Sequence, residues 1–249
     1  MNEIEYWIKE KDVNTLYTAE YWNNIEEEKQ KVWWIESEKD LKVKKYLKSS
    51  GLEEEFELAV NSCNVKGNVL DLAAGTCWTS ALLSKKKEVD KVDSVEFSHH
   101  RIDKLAPKTI TLLDGDSSKI NRILGSFYDI KRSDDYYDTI ILSQAYHHAQ
   151  YPLKLFHECD RVLKKGGSIV IIGEHIIGFK RVFRRFIRKF ISGKLFTNIH
   201  EEFYNHSNPL GDHSYLVSDY KFTFYAYDYD YKVISSNIRN STIFIGKKR

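Results

Sequence analysis

Cysteine is scarce and scattered: Cys63, Cys77 and Cys159 are odd in number, widely separated and without CxxC spacing. That pattern speaks against a disulfide framework or a zinc site and leaves ordinary buried thiols. Excess charge of either sign is missing too. Lys+Arg 38 against Asp+Glu 36 leaves a net +2, so no whole-molecule field recruits nucleic acid or another polyanion, and any electrostatic argument has to be local. No apolar run approaches the roughly 20 residues that span a bilayer. The opening residues, MNEIEYWIKEKD, are acidic and amphipathic where a secretory leader would be apolar, so a cytoplasmic protein is expected. Repeats and low-complexity linkers are also lacking. At 249 residues and 42% hydrophobic content the chain is expected to build one core and one domain.

What is present is alternation. From about Glu20 to Leu47 the pattern is charged with spaced aromatics, and Gly51 after Lys48-Ser49-Ser50 marks a helix stop, so two helices are expected before any sheet. Short β-branched or apolar runs then alternate with helical patterns: Asn68–Ala73, Lys91–Glu96, Thr109–Leu113, Thr139–Ser143 and Ser168–Gly173. Such alternation predicts a parallel sheet covered by helices. A helix is expected from Pro152 to Lys164, with Pro at its first turn and Lys-Lys-Gly-Gly at its end. By period alone, Ser218 to Lys232 reads as a strand.

The segment that carries chemistry is Val69-Leu70-Asp71-Leu72-Ala73-Ala74-Gly75-Thr76-Cys77, an apolar strand running into small residues and then a helical stretch from Trp78. In an open α/β sheet, ligands sit beyond the carboxyl ends of the strands, where small residues let the backbone approach. About 20 residues on, a second strand ends in Glu96, a carboxylate able to accept both hydroxyls of a ribose. A pyrophosphate cofactor wants GxGxxG and a bare helix N-terminus. Here Ala73 and Cys77 stand at two of the glycine positions and Asp71 lies in the strand, which suits a cofactor bearing an amine and a sulfonium.

This series resembles motif I of the class I S-adenosylmethionine-dependent methyltransferases, with Gly75 alone of its three glycines retained. Further landmarks follow in order. Asp114-Gly115-Asp116-Ser117 looks like the family's adenine-binding segment after the third strand. Tyr137 to Ser143 looks like the fourth strand, and Arg161 to Ser168 like the junction into the fifth. The resemblance implies a doubly wound α/β sheet of seven strands, six parallel and one antiparallel. Its last elements are a helix over Tyr220–Ala226, a sixth strand over Tyr231–Ser236 and a seventh over Ser241–Gly246, which overrides the period-2 reading of the tail. It also implies S-adenosylmethionine as cofactor, held by Asp71, Ala73, Gly75, Glu96, Phe97, Asp116, Ser117 and Ser143. One of the aromatics Tyr17, Tyr21 and Trp22, in a segment rich in Tyr and Trp, is expected to cover it, with Tyr21 the candidate. The organisation expected is an N-terminal helical cap over 1–66, a cofactor-binding core over 67–175, a substrate-binding insertion over 176–215, and the final helix and strands over 216–249.

Catalytic candidates cluster where strand tips should converge: His147 and His148 after the fourth strand, Glu174 and His175 after the fifth, and His213 before the last helix. A histidine can take a hydroxyl proton as a methyl group arrives, so oxygen is the expected acceptor, although in the family a His-His pair often only shapes the cofactor pocket. Asp138, at the start of its strand, reads as structural. A divalent cation among Glu174, His175, His200, Glu201 and His213 finds no definite geometry in the spacing, and no metal is expected. Phe179 to Ser192 is a strongly polarised helix, with Phe and Ile on one face and Lys180, Arg181, Arg184, Arg185, Arg188 and Lys189 on the other. Its readings are a packing lid, a site for an anionic acceptor through Arg181, Arg184 and Arg185, or a peripheral membrane contact. Nucleic acid is not expected, because no RNA-binding module accompanies the patch. The function expected is O-methylation of a small polar acceptor, such as a nucleotide-activated or phosphorylated sugar of surface polysaccharide biosynthesis. The alternatives are a lipid or quinone methyltransferase and a catalytically silent cofactor-binding subunit.

Overall fold

The computed structural model describes residues 3–8, 42–174, 176–193, 212–213, 215–236 and 241–249. Two helices, α1 (Val43–Ser50) and α2 (Leu52–Cys63), meet at Gly51, whose φ of 72° gives the left-handed turn expected of a helix stop. The strands are β1 (Glu5–Tyr6), β2 (Gly67–Leu72), β3 (Val89–Glu96), β4 (Ile120–Leu124), β5 (Tyr137–Ser143), β6 (Leu163–Ile172), β7 (Tyr229–Ser236) and β8 (Ser241–Lys248). They form one sheet in the order β1-β4-β3-β2-β5-β6-β8-β7, parallel except where β8 runs antiparallel to both β6 and β7. The helices that follow strands are α3 (Trp78–Ser84), α4 (Ala106–Leu112), α5 (Pro152–Val162), α6 (Phe179–Ile191) and α7 (Val217–Ala226).

Period-2 alternation within each strand splits the core over the two faces of the sheet. Val69, Val92, Ile141 and Val170 join Phe56 and Ala59 of α2 and Ala81 of α3. Their neighbours Leu70, Val95, Ile140 and Ile169 join Leu155 and Phe156 of α5 and Tyr220 and Phe224 of α7. The tail forms a helix because Tyr220, Thr223 and Phe224, at i, i+3 and i+4, are buried, while Phe222 and Tyr225 are exposed.

Three expectations are corrected. The run Thr109–Leu113 is not a strand but lies on α4 and its end, with Pro107 in the first turn and Thr109 and Ile110 buried; a short apolar run fits either state. The strand is Ile120–Leu124, whose Asn121 and Arg122 hide it in the sequence. Asn121 bonds Glu5 and Asp93, and buried Arg122 donates to the Ile102 carbonyl at 2.9 Å. Helix α5 ends at Val162 rather than Lys164, because Leu163 already turns into β6 and pairs with Tyr137. Finally, residues 5 and 6 of the expected helical cap are an added edge strand, pairing Glu5 with Ile123 and Tyr6 with Leu124 and raising the count from seven to eight.

Candidate functional site: the carboxyl edge of the sheet

The chain leaves β2 toward β3 on one side and β5 on the other, which makes the carboxyl ends of these strands the switch point where a ligand crevice opens. Beyond β2, Ala73, Gly75 and Cys77 have φ of 53°, 55° and 62°. The left-handed path that glycines would give is therefore kept by two residues that carry a Cβ, at about 1–2 kcal/mol each. A Cβ at Gly75 would meet nothing nearer than the Arg101 Nη1, at 4.0 Å. Glu96, buried at the end of β3, ties two turns together: one oxygen accepts from Gly75 N at 2.7 Å and the other from Ser98 N at 2.8 Å. Each oxygen keeps a lone pair for a further donor. Phe97 stands half-buried beside it.

Asp71 points beneath the first turn of α3. One oxygen accepts from Thr79 Oγ1 and Ser80 Oγ, both at 2.5 Å, while the other is buried with no hydrogen-bond partner among the described residues. Burial pushes its carboxyl up to about 6 against the two hydroxyls that pull it down. Ser143, the last residue of β5, likewise buries a hydroxyl oxygen that no described residue bonds. Buried polar atoms left this way are costly unless a ligand completes them. A carboxylate already occupies the α3 N-terminus, where a pyrophosphate would bind. The donor set therefore fits a cation and a diol: Asp71 for an ammonium, Glu96 for ribose hydroxyls.

Asp116 and Ser117 do not belong to this edge. They precede β4, and Asp116 N bonds Ser84 Oγ at the far end of α3, whereas the Gly75 loop lies at its near end, about 10 Å away along the helix. The strand that they were expected to follow, Thr109–Leu113, is helical, and the true strand comes after them. The true loop beyond β4 starts at Gly125, whose N donates to the Glu96 carbonyl at 3.0 Å and whose Cβ position is closed by Trp7, 3.1 Å away. Tyr21 and His175 lie outside the described residues.

On the β5–β6 side, Glu174 is buried and fully engaged. Its carboxylate accepts from the backbone N–H of Ala145, Tyr146 and His147, from His147 Nδ1 at 3.1 Å and from Tyr220 OH at 3.0 Å. It therefore positions the loop and is no free base at the mouth, which corrects its reading as a catalytic candidate. Burial alone would raise its carboxyl, but His147 and these donors outweigh that and hold it below the ordinary range. His147 is its buried partner: burial disfavours its charge, yet Glu174 and Asp212 raise its titration above the usual value. Its ring is enclosed and its Nδ1 is engaged by Glu174, so it shapes the loop, and that reading too is corrected.

His148 is different. Its side chain is 18% exposed, and Nδ1 lies 3.2 Å from Asp212 Oδ1. Asp212 is the residue that the sequence reading passed over in favour of its neighbour His213, whose N–H donates to the His147 carbonyl at 2.8 Å and whose ring stacks on Tyr215. His147, His148 and Asp212 each bring one ligand-capable atom within 4.8 Å of the others. Arg184 and Arg185 stand exposed on α6, and the Arg181 side chain lies outside the description.

A doubly wound sheet with a small-residue turn after one strand, a buried carboxylate after the next and histidines at the switch point is an arrangement that suits a nucleoside cofactor. The comparisons say which. Residues 70–171, from within β2 to within β6, match the model of a methyltransferase domain family. The fold is shared with the YcgJ protein of Bacillus subtilis (TM-score 0.60, 16% identity, 79% of this chain and 99% of that one). A candidate S-adenosyl-L-methionine-dependent methyltransferase from Methanococcus maripaludis is similar as well (TM-score 0.57, 19% identity, 86% and 94%). So is an S-adenosylmethionine-dependent methyltransferase from Aquifex aeolicus (TM-score 0.53, 16% identity, 77% and 87%). No curated protein matches the sequence. Residues 70–171 thus match a methyltransferase domain, on a fold that the chain shares with S-adenosylmethionine-dependent methyltransferases.

Proposed function

We propose that this protein transfers a methyl group to a hydroxyl oxygen, with His148 as the proton acceptor and Asp212 as the group that orients it. The observation that carries the reading is the His148–Asp212 pair, 3.2 Å apart and partly open to solvent, set beside a His147 already held by Glu174. S-adenosylmethionine supplies, when bound, an electrophilic methyl group on a positively charged sulfur. Asp71 would meet its ammonium, Glu96 its ribose hydroxyls, and Arg101, close to Gly75, its carboxylate. Ala73, Gly75, Phe97 and Ser143 would line the same cradle. Asp212 holds the Nδ1 proton, which leaves His148 Nε2 to take the proton from the acceptor hydroxyl and release it to solvent. Holding the acceptor in line accounts for the larger share of the rate, roughly 7–11 kcal/mol.

The acceptor we infer is a small polar hydroxyl compound carrying phosphate, such as a phosphorylated or nucleotide-activated sugar, which Arg181, Arg184 and Arg185 would meet. The exposed aromatic face of α6 favours a second reading, a lipid or quinone acceptor encountered at a membrane. The test is turnover of labelled S-adenosylmethionine by the pure protein against a panel of both acceptor classes. His148→Ala should lose about 10²–10⁴ in kcat together with the acidic limb of the pH–rate profile, while S-adenosylhomocysteine binding stays unchanged. Near-wild-type turnover by the variant would overturn the base assignment. Loss of wild-type turnover on chelation would reassign the His147–His148–Asp212 cluster to a divalent cation.

A further inference from the structure

The helix α6 makes an apolar stripe and does not bury it. Phe183, Phe186, Ile187 and Phe190 fall at i, i+3, i+4 and i+7, with Ile191 one residue on, and they are between 41% and 78% exposed. Side chains of this size normally go inside. From Phe179 to Gly193 there are six cations and no acid, and Arg184, Arg185 and Arg188 are exposed beside the stripe. With 13 residues the helix is about 20 Å long, and no described helix is long and apolar enough to cross a membrane.

We infer that α6 docks in the plane of an anionic lipid surface, its Phe and Ile side chains entering the headgroup–acyl boundary and its Arg and Lys side chains reaching the lipid phosphates. Charge decides the occupant. The flanks of the stripe are of one sign, as a field of anionic headgroups requires, and the long basic side chains can follow the headgroups while the rings go deeper. The start of α6 is pinned to the segment that carries Asp212, since Ile177 N donates to the Tyr215 carbonyl at 3.1 Å and Ile176 bridges Tyr215. Docking would therefore hold the switch-point edge near the lipid surface. The inference stands on α6 and does not depend on the proposed proton transfer.

The test is co-sedimentation of the full chain with vesicles of phosphatidylcholine alone or mixed with phosphatidylglycerol. Binding is expected only to the anionic vesicles, weakening as salt is added. Phe186→Ala with Phe190→Ala, and separately Arg188→Glu, should each reduce partitioning about tenfold. These positions are exposed, so both variants should keep the wild-type melting temperature and S-adenosylhomocysteine binding, which shows them folded. No binding to anionic vesicles at low salt would overturn the inference, as would binding indifferent to the Phe186/Phe190 variant. Competition by inorganic phosphate at concentrations that leave ionic strength fixed would assign the arginines to a small anion instead. A concentration-dependent oligomer abolished by the Phe186/Phe190 variant would assign the stripe to a second copy of the chain.

Discussion

Asp71 and Glu174 are both buried carboxylates at the carboxyl edge of the same sheet, and they do opposite things. Glu174 accepts from five donors and is held below its ordinary titration range; Asp71 has one oxygen without a described partner and is raised to about 6. A saturated carboxylate is a structural joint, here between β6, the loop after β5 and α7. An unsaturated one carries a cost that a ligand can remove, as the ammonium proposed to meet Asp71 would.

The comparison breaks most easily at the joint. Glu174→Ala would strip the acceptor from three buried backbone N–H groups, the His147 ring and the Tyr220 hydroxyl, and urea unfolding should show a loss of about 3–5 kcal/mol; a loss below ~1 kcal/mol would mean the five bonds carry little. Asp71→Asn should do the reverse. It keeps an acceptor for Thr79 and Ser80 but should weaken S-adenosylhomocysteine about 10–100-fold by calorimetry. Because the Asp71 carboxyl is raised on folding, its contribution to stability is full below the unfolded value of 3.8 and is lost as pH rises through about 6. The ligand-free Asn variant should therefore melt higher than wild type above pH 6, and the gain should vanish in acid. A variant that melts lower at every pH would make Asp71 a structural acid like Glu174. The smallest effect is expected at Ala73, where φ is 53°. Ala73→Gly relieves left-handed strain at some entropic cost, so a gain of about 0.5–1 kcal/mol in chemical denaturation is expected, with no change in cofactor affinity.

Those elements of the site that depend on local order were legible in the sequence. Asp71, Gly75 and Glu96 stand at strand ends whose apolar runs are unambiguous, and the helix and strands from Val217 to Lys248 fall where the family order puts them. What depends on distant partners was not. Asn121 and Arg122 interrupt the apolar run of β4 with polar groups whose partners, Glu5, Asp93 and the Ile102 carbonyl, are set by the fold, and with the third strand placed at Thr109–Leu113 instead, Asp116 and Ser117 went to the wrong edge. Glu174 read as a base because its donors come from the loop after β5 and from Tyr220. Asp212 was passed over because its partner His148 lies far back in the chain.

The two-residue strand β1 closes the outer edge of β4, an edge that would otherwise present bare N–H and C=O groups to another molecule. It is fastened by side chains. Arg132 grips both Glu5 oxygens at 2.8 and 2.9 Å and reaches Asp93 at 2.9 Å, while its guanidinium lies 5.0 Å from the Trp7 ring centre. Arg132 holds the Glu5 carboxyl down to about 2, well below the ordinary 4.5, so this fastening is complete above pH 4.5 and slips only as pH falls toward 2. Throughout the neutral range this end of the sheet thus offers neighbouring molecules a latched hem instead of a sticky one, and pairing through the β4 edge becomes a hazard of strong acid.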